Sequence, residues 1–236
     1  MRSCLAFLVF VALLVGVLAW FGLPALAGGG VQLGLAASGF RGDGTTVDVR
    51  SDPPTNLLGG HADRVVVRSR GVTSGPLTAA TLELTLDDVA LLDRRAAAVA
   101  GSLETVTLTD SGGSTLAVER IDLSGPSDGA DARLVIAPAE VRRRALGALG
   151  AIGLAISDVA LEAPNVLAVS ALGRTVRGTL VVDPAGVLAV TLPGIVDVAL
   201  VAPPAGLPIR FRSVAVASDR TLVVDATIDL RALVGG

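Results

Sequence analysis

The sequence predicts an α+β domain: a mostly antiparallel, strongly curved β-sheet wrapped on one main helix, behind an N-terminal membrane or signal helix. Three observations carry this expectation. Residues 5–27 form an unbroken apolar run. Period-two alternation recurs in short β-branched segments with turn residues between them. One longer internal stretch, Pro138–Ile152, has helical spacing.

At about 1.5 Å per residue the apolar run makes about 34 Å of helix, enough for a bilayer core of about 30 Å. Arg2 precedes it and no further basic residue occurs before Arg41. That asymmetry puts the N-terminus inside and exports the chain from Gly28 onward. Two readings stay open. Ala25-Leu26-Ala27 after Pro24 fits a signal-peptide cleavage site. The length of Leu5–Leu23, with Trp20 and Phe21 at its outer end, fits a retained anchor. Both give an extracytoplasmic domain of the cell envelope, membrane-anchored or secreted. The expected organisation is residues 1–27 as signal or anchor, 28–44 as a Gly-rich tether, and 45–236 as the folded domain.

Composition excludes several functions. Cys4 is the single cysteine, so the exported part has neither a disulfide nor a thiolate metal site. The net charge is −3, and −4 once Arg2 is set aside, which gives no pull toward nucleic acid. Beyond the apolar run only Phe40 and Phe211 are aromatic, too few for base stacking. No metal or cofactor is expected: His61 is the lone histidine, and no acidic cluster has calcium-loop spacing.

Along the chain, strands are expected at Thr45–Arg50, Arg64–Arg68, Leu77–Val89, Glu104–Thr109, Leu116–Leu123 and Ala132–Ile136. A second series follows at Val166–Ala171, Val176–Val182, Val187–Leu192, Val196–Val201, Ile209–Ala217 and Thr221–Leu230. In Leu77–Val89, Leu82, Leu84 and Leu86 take one face and Thr81, Glu83, Thr85 and Asp87 the other. Asp183-Pro184-Ala185-Gly186 is a type I turn by its residue positions. In Ile209–Ala217 the apolar phase changes parity between Phe211 and Val214, which predicts a bulge near Ser213. Thr55–Ala62 reads as a short helix. In the main helix, Pro138 suits the first turn and Glu140 the N-terminus, while Val141, Ala145, Leu149 and Ile152 share a face.

The motifs that resemble catalytic ones fail on context. Gly125-Pro126-Ser127-Asp128-Gly129 matches G-x-S-x-G, but a strand follows it and the only histidine precedes it. Asp87-Asp88 and Asp93 sit at a strand end beside Arg94-Arg95, where solvated charges are ordinary. Arg41-Gly42-Asp43 falls in the Gly-rich stretch, and the chain has no lysine for a phosphate loop. No enzyme is expected. The one basic cluster is Arg142-Arg143-Arg144, suited either to a solvated helix face or to lipid phosphate.

The stretch Asn56–Val67, then Gly71-Val72 and Gly75-Pro76-Leu77, with the alternating Leu82–Leu86 strand behind it, resembles the LmeA-like phospholipid-binding family of actinobacterial envelope proteins. The final hairpin, from Leu207-Pro208-Ile209 to Ala226, is similar to that family's closing strands. The resemblance implies an extracytoplasmic domain that binds phospholipid, including phosphatidylinositol, and supports envelope lipid or lipoglycan assembly. Taken with the residues, it sets the expected partners as membrane and phospholipid, anionic preferred. Arg142, Arg143 and Arg144 would meet the head group, and Val141, Leu149, Ile152 and Phe211 would line an apolar groove. The alternative is a non-catalytic structural or interaction protein whose apolar residues fill a closed core.

Overall fold

The computed structural model describes residues 27–33, 36, 39–93, 95–109, 114–194, 197–203 and 207–230. Residues 1–26, the body of the apolar run, lie outside the described residues, as does Arg94. Among the described residues no helix is long and apolar enough to cross a membrane.

Among the described residues, thirteen strands make two antiparallel sheets. Six form a meander: β1 (Arg41–Arg50), β2 (His61–Ser74), β3 (Leu77–Ala90), β4 (Arg95–Thr109), β5 (Thr115–Gly125) and β6 (Ala130–Ile136). The helix α1 (Pro138–Ala151) follows. Next come β7 (Ile156–Glu162), β8 (Val166–Ala171), β9 (Arg174–Val182), β10 (Leu188–Thr191) and β11 (Val198–Val201), which pair in sequence as the smaller sheet. The chain then returns to the larger sheet with β12 (Ile209–Val216) and β13 (Leu222–Ile228), and β13 pairs with β6. A backbone bond from Val216 N–H to Pro164 O, at 2.6 Å, ties the end of β12 to the β7–β8 turn.

The larger sheet curls into a half-barrel, and the side-chain pattern gives the cause. On β2 the inward residues are Ala62, then Val65, Val67 and Ser69, then Val72. Across the ladder they face Val89, then Leu86, Leu84 and Leu82, then Ala79 on β3. On β4 the partners are Ala96, then Val99, Gly101 and Leu103, then Val106. Every strand advances by three residues instead of two at the same two rows. Pairing is interrupted there: at Asp63, Asp88 and Ala97, and at Gly71, Ala80, Thr105 and Glu119. Asp88 (φ 54°), Gly71 (φ 57°) and Thr105 (φ 50°) take left-handed backbone at these rows. Neighbouring strands slip together, so register survives on either side while the sheet bends along two lines. Such bends add to ordinary strand twist.

The outer face carries cross-strand ion pairs instead: Arg64 with Asp87 and Arg68 with Glu83. Leu82, Leu84 and Leu86 point inward as the alternation predicts, but they are only half-buried. The expected bulge is present: Phe211 pairs with Ala226 and Ser213 with Asp225, leaving Arg212 as the extra residue. The Asp183–Gly186 turn closes with Gly186 N–H on Asp183 O at 2.9 Å.

Several expectations are corrected. There are two sheets, not one. The packing partners of α1 are β7 and β11 of the smaller sheet. β7 was not foreseen, because Ile156–Glu162 alternates over too few residues to stand out. β4 begins at Arg95 rather than near Glu104, since Ala96-Ala97-Ala98 has weak strand propensity and is held by pairing to β3. The expected helix at Thr55–Ala62 is a 3₁₀-helix at Pro54–Gly59, and His61 already starts β2. β1 reaches back to Arg41, into the stretch read as a tether, and residues 27–33 are helical.

Two buried clusters result. The larger joins the far half of the half-barrel to the smaller sheet and to Val141, Ala145 and Leu149 of α1. The smaller holds Val49, Ala62, Val65, Val67, Val89, Ala96 and Val99, at the β1–β4 end.

Candidate functional site

A concavity lies on the flank of α1. Ala137 caps the helix without a side-chain bond, and Pro138 occupies the first turn, where its missing N–H costs nothing. Glu140 is the pivot. Its carboxylate accepts from the Ala117 backbone N–H at 3.3 Å, fixing the helix start against β5. It also accepts from Arg143 Nε at 2.8 Å and from Arg144 Nε at 3.4 Å. Burial pushes the Glu140 carboxyl up, and the bonds from Arg143, Ala117 and Arg144 outweigh that, leaving it below the usual carboxylate range. The same contact holds the Arg143 guanidinium above its ordinary value, against a smaller opposing effect of burial.

A cleft of about 640 Å³ opens between this helix flank and β7. Pro138, Ala139, Arg142, Arg143 and Leu146 form the helix side, and Asp158–Leu161 form the strand side. Arg220, from the β12–β13 turn, lies at its edge. Arg142 Nη2 spans the cleft to Asp158 Oδ1 at 3.0 Å. Arg143 donates to Thr115 O at 2.8 Å as well as to Glu140. Arg220 makes no side-chain hydrogen bond or ion pair among the described residues, and it sits at φ 66°, a conformation few L-residues take. Three guanidiniums stand against two carboxylates, Asp158 and Glu140. The surplus is positive and the walls carry Leu146, Val159 and Leu161, so the cleft suits an anion on an apolar stem.

The structure divides the sequence-predicted residues. Arg142 and Arg143 line the cleft. Arg144 does not: its side chain is 15% exposed and donates to Ser114 Oγ at 2.8 Å and to Glu140. The residues expected to line an apolar groove, Val141, Leu149, Ile152 and Phe211, take different places. Val141, Leu149 and Phe211 are buried in the shared core, while Ile152 caps the helix and is 53% exposed. The void beside Val141 measures only about 10 Å³, too small for a chain of methylenes. The helix face that periodicity marks as apolar is the face that closes the core. Sequence reasoning missed Leu146, Asp158 and Arg220; the visible signal was Arg220 at a turn position where Gly or Asn is usual.

The other motifs are structural. Ser127 Oγ is buried and accepts from Ala96 N–H at 3.0 Å, which locks the β5–β6 turn onto β4. His61 Nε2 stands 3.6 Å from Asp63 and 3.5 Å from Asp88, on an exposed corner. Among the described residues no group of three His, Cys, Asp or Glu side chains is placed to hold a metal ion. No protein-family profile, curated protein or solved structure matches the chain.

Proposed function

We propose that this is an extracytoplasmic phospholipid-binding protein of the cell envelope, in which the α1–β7 cleft takes the lipid phosphate. One observation carries the reading: Arg142 and Arg143 share a cleft with Arg220, whose side chain has no partner among the described residues. Guanidinium forks match phosphate oxygens, and the adjoining half-buried Leu146 offers surface to the glycerol and first acyl carbons. Export through the apolar run, residues 5–27, places the domain where such lipids are met. No catalytic step is part of the reading.

The closed core around Val141 and Leu149 favours the rival reading, a structural envelope protein without a ligand. A thermal titration separates the two. A ligand bound only by the folded state stabilises it by mass action, by about 2.7 kcal/mol at a hundredfold excess over Kd. The full chain in detergent should melt several degrees higher with phosphatidylglycerol, and less so with phosphatidylcholine. The difference should vanish in Arg142→Gln/Arg143→Gln/Arg220→Gln. No shift with any phospholipid would leave the structural reading.

A further inference from the structure

We propose that the end of the half-barrel bearing Leu58 and Leu92 rests in the surface of the bilayer, as an apolar tip. The proposal rests on the reading that the run of residues 5–27 enters a membrane. Leu58 lies in the 3₁₀-helix and Leu92 in the β3–β4 turn, 73% and 81% exposed. The two segments are bound together: Leu91 N–H donates to Gly60 O at 2.7 Å, and a β-carbon on Gly60 would lie 2.6 Å from Leu92 Cγ. Their neighbours Leu57 and Leu91 point the other way, onto the smaller core cluster. The exposed leucines are thus held outward by half-buried ones.

The course of the chain supplies the occupant. Ala27 and Val31 pack on that same cluster. Gly28 lies beside β1 at Val47, with Val49 Cγ2 close by, and Gln32 Nε2 donates to Thr45 O at 3.3 Å. Residues 27–33 therefore run along β1 from its Arg50 end toward Thr45. Ala27 stands at the Arg50 end, and the 3₁₀-helix with Leu58 begins four residues after Arg50. Ala27, the last residue of the apolar run, and the two exposed leucines lie at one end of the sheet. Charge does not draw this end to anionic lipid: Asp52, Asp63, Asp88 and Asp93 offset Arg50, Arg64 and Arg95. The contact is apolar, a leucine pair in the interfacial layer.

The test uses the full chain with Cys4→Ser and one new cysteine at a time: Leu58→Cys, Leu92→Cys or Thr78→Cys. Thr78 is exposed at the opposite end of the long strands, about 40 Å of strand away. Each protein carries the same small fluorophore in phosphatidylcholine vesicles containing brominated acyl chains. Labels at positions 58 and 92 should be quenched several-fold more than the label at 78. Vesicle flotation with equal quenching at all three positions would overturn the tip and leave the membrane reading standing. Failure of the chain to float would overturn both.

Discussion

Arg143 and Glu140, one turn apart on α1, form a charge-assisted pair that also holds Thr115 and Ala117 of β5. A helix that touches the smaller sheet through its apolar face is thereby pinned to the larger sheet through its polar N-terminus. The pair joins the two halves of the fold, and its Arg143 lines the cleft.

This pair makes stability depend on pH. The Glu140 carboxyl is lower in the folded state than its unfolded value of about 4.3. Its contribution is complete above that unfolded value and is lost as pH falls through the lower folded one. Melting temperature should drop over that acidic window in the wild type. In Glu140→Gln the drop should be smaller and the neutral-pH stability lower. Thermal melts across pH, wild type beside variant, read this directly.

Arg144 should part company with its neighbours. Its guanidinium is mostly covered and bonds Ser114 and Glu140. Arg144→Gln should cost about 1–3 kcal/mol of stability and leave the preference for anionic phospholipid intact. Equal loss of lipid response in Arg144→Gln and Arg142→Gln would remove the cleft assignment. Urea unfolding and the lipid melt separate the two effects.

Gly101 tests the curl. It faces inward between Leu84 and Leu123, and a β-carbon there would lie 2.3 Å from Glu83 O and 2.9 Å from Leu84 Cα. Gly101→Val should destabilise by about 1–3 kcal/mol through overpacking. Ala100→Val, exposed on the outer face one residue away, should stay within about 0.5 kcal/mol.

The two flanks of α1 should answer differently to truncation. Leu149→Ala removes a fully buried side chain and should cost about 2–5 kcal/mol. Leu146→Ala, on the cleft side and half-buried, should cost less and weaken phospholipid binding instead. If Leu149→Ala lowered binding without lowering stability, the closed core described for α1 would be wrong.

The amino-acid pattern determined most of the local structure on its own. Alternation marked Leu77–Val89, the parity change marked the bulge at Arg212, and Pro138 with Glu140 marked the start of the helix within its observed bounds. These features depend on residues close in sequence, where backbone sterics and a two- or 3.6-residue period suffice. What surrounds each element was decided by tertiary structure. Periodicity marked Val141 and Leu149 as apolar but could not say whether lipid or protein would cover them; the core shared by the two sheets does. Adjacent arginines read alike in sequence, yet a helix turns them about 100° apart, so Arg142 and Arg143 reach the cleft while Arg144 turns to Ser114. Arg220 joins them from 77 positions away along the chain after Arg143. No local pattern encodes that approach, because it arises only when β12 and β13 return to pair beside β6.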